Sequence, residues 1–244
     1  MLGVVASHPV SPGELLRSGP RCLRELSREH ADGWGIAVHH DGAWTIHRDT
    51  SSAVRSARFA EVAASEGSII IAHVRKKTVG PTSLVNTHPF CRGRFVFAHN
   101  GTVANLAAIT ARTAPEYLDV AGETDSEKLF GFILTRIDEA GDVSLGVTRA
   151  VQALHAIDNV GSTNFLLSCG QRMYAHRLGR SLYVLRRSDV VAVASEPVTD
   201  EVWQELGERE LVTLEAPAPA QTRICVNTRN RNSSKYPGPP SGLN

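Results

Sequence analysis

The chain has 244 residues, 42% of them apolar and 21% charged, which allows one large domain or two small ones with a sizeable buried core. Lys and Arg number 26 against 25 Asp and Glu, a net charge of +1 that excludes the basic excess of a nucleic-acid-coating protein. The longest clear apolar runs, residues 68–72 and 190–194, fall far short of the ~18 residues needed to cross a bilayer, and no charged-then-apolar leader opens the sequence. A cytoplasmic protein is therefore expected.

In chain order, residues 2–6 form a short apolar strand candidate, and 20–29 read as a helix with Pro20 near its first turn. Residues 34–47 contain two alternating runs flanking His40-Asp41-Gly42, a hairpin signal. Helical spacing over 52–65 (Val54, Ala57, Phe59, Val62) precedes two buried-strand candidates, 68–74 and 94–99. Thr124-Asp125-Ser126-Glu127 is a capping box that opens a helix carrying Leu129, Phe130, Phe132, Ile133 and Ile137. A further helix is expected around 147–157.

After Gly161 the texture becomes one of strands, at 164–168, 172–176, 182–185 and 190–194. Residues 227–244 are rich in Arg, Asn, Ser, Pro and Gly and read as a flexible tail. With no linker before them, residues 1–226 are expected to form a single domain of mixed strands and helices. Cys22, Cys91, Cys169 and Cys225 are widely spaced, without the pairing of a zinc site or a disulfide scaffold, so no metal and no cofactor are expected.

Three segments place polar groups at the ends of apolar strands, where rigid scaffolds often carry chemistry. In Ala72-His73-Val74-Arg75, the guanidinium of Arg75 could hold a carboxylate through two parallel bonds, or simply end a strand in solvent. In Ala98-His99-Asn100-Gly101, the Asn-Gly pair alone reads as a turn. Its functional alternative is an oxyanion hole made by the Asn100 amide and the Gly101 N–H. Asp125 suits the first turn of a helix, and could equally receive an ammonium group. Asp32-Gly33-Trp34-Gly35 suggests a close-packed backbone beside a cleft, and Asn86-Thr87-His88-Pro89-Phe90 a loop with a restricted histidine.

Taken in order, Asp-Gly-Trp-Gly, Ala-His-Val-Arg-x-x-Thr, Thr-His-Pro-Phe, Ala-His-Asn-Gly and Thr-Asp-Ser-Glu resemble the class II glutamine amidotransferases. These are N-terminal-nucleophile hydrolases, and the resemblance is to their small stand-alone branch. Ala194-Ser195-Glu196-Pro197 also matches that branch. The resemblance implies an α+β fold, a four-layer α/β/β/α sandwich of two antiparallel sheets. It implies that Arg75, helped by Thr78, holds the α-carboxylate of glutamine and that Asp125 takes the α-ammonium. Asn100 and Gly101 would form the oxyanion hole, with His88 near the site. Val79 stands where many synthetase-linked members carry His.

The implied activity is that of an amidohydrolase acting on L-glutamine or a γ-glutamyl amide, with ammonia or an amine released. An ammonia acceptor would be a separate partner chain. Family members attack with an N-terminal cysteine whose α-amine serves as base. Here the sequence opens Met1-Leu2-Gly3, and neither Met1 nor Leu2 can be a nucleophile. Alignment with the Met-Cys-Arg-Leu-Leu-Gly opening of similar proteins leads to the expectation of a natural start upstream, carrying that cysteine. The alternatives are a pseudoenzyme that binds glutamine or a γ-glutamyl ligand as a sensor or regulatory subunit, and a scaffold. Retention of Arg75, Asn100, Gly101 and Asp125 together speaks against the scaffold.

Overall fold

Side chains alternate strictly along the first strand, β1 (Leu2–Val10): Leu2, Val4 and Ala6 join one apolar cluster while Met1 and Val5 join another. A strand whose two faces are both apolar must be covered on both sides. The computed structural model, which describes residues 1–77 and 79–216, provides that cover with four layers.

The first sheet has seven strands in the order β11-β9-β10-β1-β4-β2-β3. Its strands are β1, β2 (Trp34–His40), β3 (Ala43–Asp49), β4 (Gly67–Val74), β9 (Tyr183–Arg186), β10 (Val190–Ala194) and β11 (Gln204–Glu205). The second has five, β12-β8-β7-β6-β5: β5 (Phe90–Arg92), β6 (Phe95–Val103), β7 (Gly161–Ser168), β8 (Met173–His176) and β12 (Leu211–Leu214). Every pairing is antiparallel.

Between the sheets, Val5, Ala37, Ile69 and Ile71 meet Val96, Ala98, Leu166 and Met173. The outer face of the first sheet packs Trp34, Ile36 and Ile70 on Leu23 of α1 (Leu23–Leu26) and on Phe59 and Val62 of α2 (Ala57–Val62). On the outer face of the second, Phe97, Phe165 and Leu167 pack against α3 (Leu106–Thr110), α4 (Asp125–Ala140) and α5 (Val143–His155). The protein is thus an α/β/β/α sandwich, as the resemblance implies.

Several local expectations hold. The β2–β3 hairpin turns at Asp41 (φ 48°) and Gly42 (φ 79°), the two positive-φ positions that its Asp-Gly pair suits. Thr124 caps α4 by accepting the N–H of Glu127 at 3.3 Å.

Others are corrected. The helix expected over 20–29 contracts to the single turn of α1, because Ser27 turns its hydroxyl back onto the Arg24 carbonyl (2.6 Å) and accepts the N–H of Val54. The helix expected over 52–65 splits into a short 3-10 turn (Ala53–Arg55) and α2, divided at Ser56, whose side chain caps the new start through Phe59 N. The strand expected over 94–99 runs on to Val103. Asn100 and Gly101 are therefore not a turn; they pair in β6 with Asn164 and Thr163 of β7. The expected tail, the end of the 1–226 domain, and Cys225 lie outside the described residues.

Candidate active site

One cleft of about 650 Å³ opens at the mouth of the sandwich, lined by groups from both sheets and from the start of α4. Arg75, His88, Asn100, Gly101 and Asp125 all border it; Thr78 lies outside the described residues.

Arg75 arrives from β4, and the backbone beyond that strand stays paired: Arg75 N donates to Gly33 O (2.8 Å) and Arg75 O accepts from Asp32 N (3.0 Å). Asp32 Oδ2 also receives Lys77 N at 2.9 Å, so Asp32 holds the segment that carries Arg75. Arg75 is only 4% exposed, which corrects the solvent-facing alternative. Its guanidinium donates to the carbonyls of Val79 (2.9 Å), Pro81 (3.3 Å) and Gly80 (3.4 Å). Burial lowers its pKa and the charge of Asp32 opposes that shift. A guanidinium stays charged in proteins, so the cleft contains a desolvated cation held by neutral oxygens.

Asp125, the first residue of α4, is 5% exposed, and its Oδ2 accepts Val103 N at 2.7 Å. That bond engages one carboxylate oxygen and ties the helix start to the end of β6. The helix dipole favours a negative charge here.

His99, immediately before Asn100, is buried and fully bonded. Its Nε2 lies 3.0 Å from the carbonyl of Ser162, and its Nδ1 2.9 Å from Ser126 Oγ. A carbonyl only accepts, so Nε2 carries the proton and donates, and Nδ1 of the neutral ring accepts from the serine. Burial lowers the pKa of His99, which suits this neutral form. The ring thereby joins β6, β7 and the first turn of α4.

Asn100 Nδ2 donates to Ser195 Oγ at 2.8 Å. At Gly101 a Cβ would stand 2.0 Å from the Ser162 carbonyl oxygen, so this position has room only for hydrogen. Gly35 is constrained in the same way, with the His88 carbonyl oxygen 2.1 Å from where its Cβ would be. This contact seats the His88 loop on β2 and gives the Asp-Gly-Trp-Gly segment its physical reason.

His88 is 6% exposed and its ring centroid lies 4.5 Å from that of His73 and 4.4 Å from that of Phe90. Neither of its ring nitrogens has a hydrogen-bond partner among the described residues. Burial first, with the charge of Arg75 adding to it, holds its pKa well below the usual histidine value. His73 is depressed likewise, chiefly by burial. Both rings are therefore neutral and could accept or donate one bond to a ligand.

The Met1 α-amine also faces this region. Burial lowers its pKa to about 6, against an opposing pull from Glu196, and its carbonyl accepts Ser195 N at 3.0 Å. Among the described residues no cysteine borders the cleft: Cys22 is buried, Cys91 exposed on β5 and Cys169 half-buried. No group of three or more His, Cys, Asp or Glu among those residues is placed to hold a metal ion, and no described helix is long and apolar enough to cross a membrane.

Residue-by-residue reading of the sequence overlooked His73, His99, Ser126, Ser181 and Ser195 as parts of this site. His99 and Ser126 each sit beside a residue that was singled out. Ser195 lies in the Ala194–Pro197 segment, whose match to the small branch was its only signal.

Comparison with known proteins agrees with this architecture. The family described as "Glutamine amidotransferases class-II" matches residues 1–189. An uncharacterized protein of Methanocaldococcus jannaschii is 29% identical over 229 residues; the match covers 79% of this chain but only 63% of that protein, under two thirds of its length. The gamma-glutamyl-hercynylcysteine sulfoxide hydrolase of Mycobacterium tuberculosis is 33% identical over 189 residues, with 76% of each chain covered. A class-II glutamine aminotransferase domain protein from Silicibacter pomeroyi superposes with a TM-score of 0.63 at 21% identity, over 89% of this chain and 99% of that one, and so shares the fold. Sequence match, sandwich architecture and cleft together place this chain in the class II glutamine amidotransferase family.

Proposed function

We propose that the cleft binds the α-amino-acid head of L-glutamine or of a γ-glutamyl amide, and that the protein hydrolyses that amide to release ammonia or an amine. The observation that carries this reading is the burial of Arg75 and Asp125 at one cleft. Charges of opposite sign, both out of water, complement a carboxylate and an ammonium on one carbon, and such desolvated pairing is where charged groups discriminate best. Arg75, with Thr78, takes the carboxylate and Asp125 the ammonium. His88 contributes a neutral imidazole to the same head.

In this reading the γ-carbonyl lies against Asn100 Nδ2 and the Gly101 N–H. These donors stabilise the negative oxygen that develops when a nucleophile adds. The nucleophile is the thiol of a cysteine upstream of Met1, with its own α-amine as base. The Met1 amine supports this reading: burial lowers its pKa to about 6, and burial at the same mouth would likewise keep the cysteine's amine unprotonated near neutrality and able to take a proton. The acyl-enzyme then yields to water. The same chemistry can pass the released ammonia to a separate acceptor chain.

A second reading of the same cleft is a non-catalytic sensor of the same ligand, because Arg75 and Asp125 can hold the amino-acid head without any nucleophile. Two measurements separate these. Calorimetry should show the chain binding L-glutamine over D-glutamine, and Arg75→Ala should abolish the preference; equal binding in all cases refutes the ligand assignment. The nucleotide sequence upstream of Met1 and the intact mass of the native protein then decide the nucleophile. In-frame Met-Cys-Arg codons predict amide hydrolysis by the longer protein, and a stop codon there leaves the sensor.

A further inference from the structure

Asn100 and Ser195 stand 95 positions apart and belong to different sheets. Asn100 lies within β6 of the five-stranded sheet, and Ser195 directly follows β10 of the seven-stranded one. Their 2.8 Å hydrogen bond therefore bridges the two sheets at the cleft. Ser195 makes two further bonds. Its N–H donates to the Met1 carbonyl (3.0 Å), and its own carbonyl accepts Ser181 Oγ (2.9 Å). Ser181 sits on the segment that crosses from β8 in one sheet to β9 in the other. Ser195 is the point where the start of β1, the sheet crossover and the Asn100 amide meet.

A carboxamide presents a donor on one side and an acceptor on the other, and rotation about its last bond exchanges them. Only the rotamer with Nδ2 toward a carbonyl oxygen helps bind it; the reverse sets two acceptors against each other. Nδ2 has two hydrogens. The hydroxyl of Ser195 takes one, which leaves the second available.

We propose that Ser195 is a positioning residue: it engages one N–H of Asn100, directs the other to the carbonyl oxygen of a bound glutaminyl amide, and registers that donor against the start of β1. The proposal rests on the ligand reading given above. It differs from a general packing role because it concerns recognition of the amide alone, not of the two charged groups.

Titration calorimetry on the purified chain with L-glutamine and with L-norvaline tests it, since L-norvaline keeps both charged groups and lacks the carboxamide. Ser195→Ala should weaken L-glutamine about five-fold, the effect of one ordinary hydrogen bond, and leave L-norvaline unchanged. Ser195→Cys, nearly the same size but a poor acceptor, should behave like the alanine variant, and Ser195→Thr should keep the wild-type preference. In an Asn100→Ala background, Ser195→Ala should have no further effect on L-glutamine. Equal weakening of both ligands, or a full additional loss in the Asn100→Ala background, overturns the proposal while leaving the ligand assignment intact. Failure of the unaltered chain to bind L-glutamine overturns that assignment and the proposal with it.

Discussion

Gly101→Ala is the most informative single substitution for the frame of the site. Gly101 does not have the left-handed backbone that would call for glycine; its constraint is space. An added Cβ would stand 2.0 Å from the Ser162 oxygen and 2.6 Å from both the Ser162 carbonyl carbon and His99 Nε2, whereas ordinary contact begins at 3.4 Å. Two of those atoms are backbone of β7, so the ladder between β6 and β7 has to part locally. Forcing a methyl into packed structure costs roughly 1–3 kcal/mol. Parting the strands also breaks the His99–Ser162 bond and leaves a buried imidazole N–H unpaired, roughly another 1–3 kcal/mol. The expected loss is about 2–6 kcal/mol, a large part of the ~5–15 kcal/mol that stabilises a typical domain. Urea unfolding monitored by fluorescence and by circular dichroism measures it. Gly93→Ala is the control: Gly93 has φ 58° but nothing within 4 Å of its missing Cβ. That variant should lose only the left-handed backbone penalty of about 1–2 kcal/mol. If Gly101→Ala costs no more than Gly93→Ala, the close approach of β7 is not the reason for glycine at this position.

Other outcomes follow from the same structure. Arg75→Ala should weaken L-glutamine binding by about 1.5–3 kcal/mol, the range for a hydrogen bond to a charged group; a calorimetric change below tenfold would count against the carboxylate assignment. Asp125→Asn keeps an acceptor for Val103 N and removes the charge, so L-glutamine should weaken while 4-carbamoylbutanoate, which has no ammonium, should not; equal effects on both would reject the ammonium role. Gly35→Ala should displace the His88 loop, read as a change in proteolytic cleavage within residues 79–90. His176 is buried between Thr163 O and His155, and burial lowers its pKa to about 4 against 6.5 when unfolded. Between pH 6.5 and 4 the unfolded chain therefore binds a proton that the folded chain refuses, and stability falls as pH drops through that window. The slope contributed is at most about 1.4 kcal/mol per pH unit, and His176→Gln should remove it from the pH dependence of urea unfolding.

The features legible in the sequence were those in which one short segment dictates its own geometry. Asp41-Gly42 accepts two positive φ values, Thr124 caps with its own side chain, and the short β-branched run at 68–74 suits a strand covered on both faces. Helix lengths were less legible because distant partners set them. Ser27 ends α1 by reaching back to Arg24, and the same hydroxyl accepts Val54 N from a segment far along the chain. β5, β11 and β12 are two to four residues long and exist because a longer strand lies beside them. Asn100-Gly101 misled for a related reason: turn propensity is a local preference, and eight ladder partners from Val96 to Val103 outweigh it.

The site itself divides along the same line. Each residue whose chemistry was read directly, Arg75, Asp125 and Asn100, bears a charged group or an amide at the end of an apolar segment, and that contrast is visible in a linear sequence. What the sequence does not display is what holds those groups. Arg75 is held by three carbonyls of residues 79–81, and any residue type supplies a carbonyl. Asp125 is fixed by a backbone N–H of β6, and Asn100 by a serine that directly follows a strand of the opposite sheet. Side chains that bind a ligand must be of particular types, so they leave a compositional trace. Groups that orient them need only one hydrogen-bonding atom in the right place, and which atom that is depends on how the two sheets stack. That is why Ser195, a common residue just after an ordinary strand, becomes meaningful only once β10 and β6 face each other across the cleft.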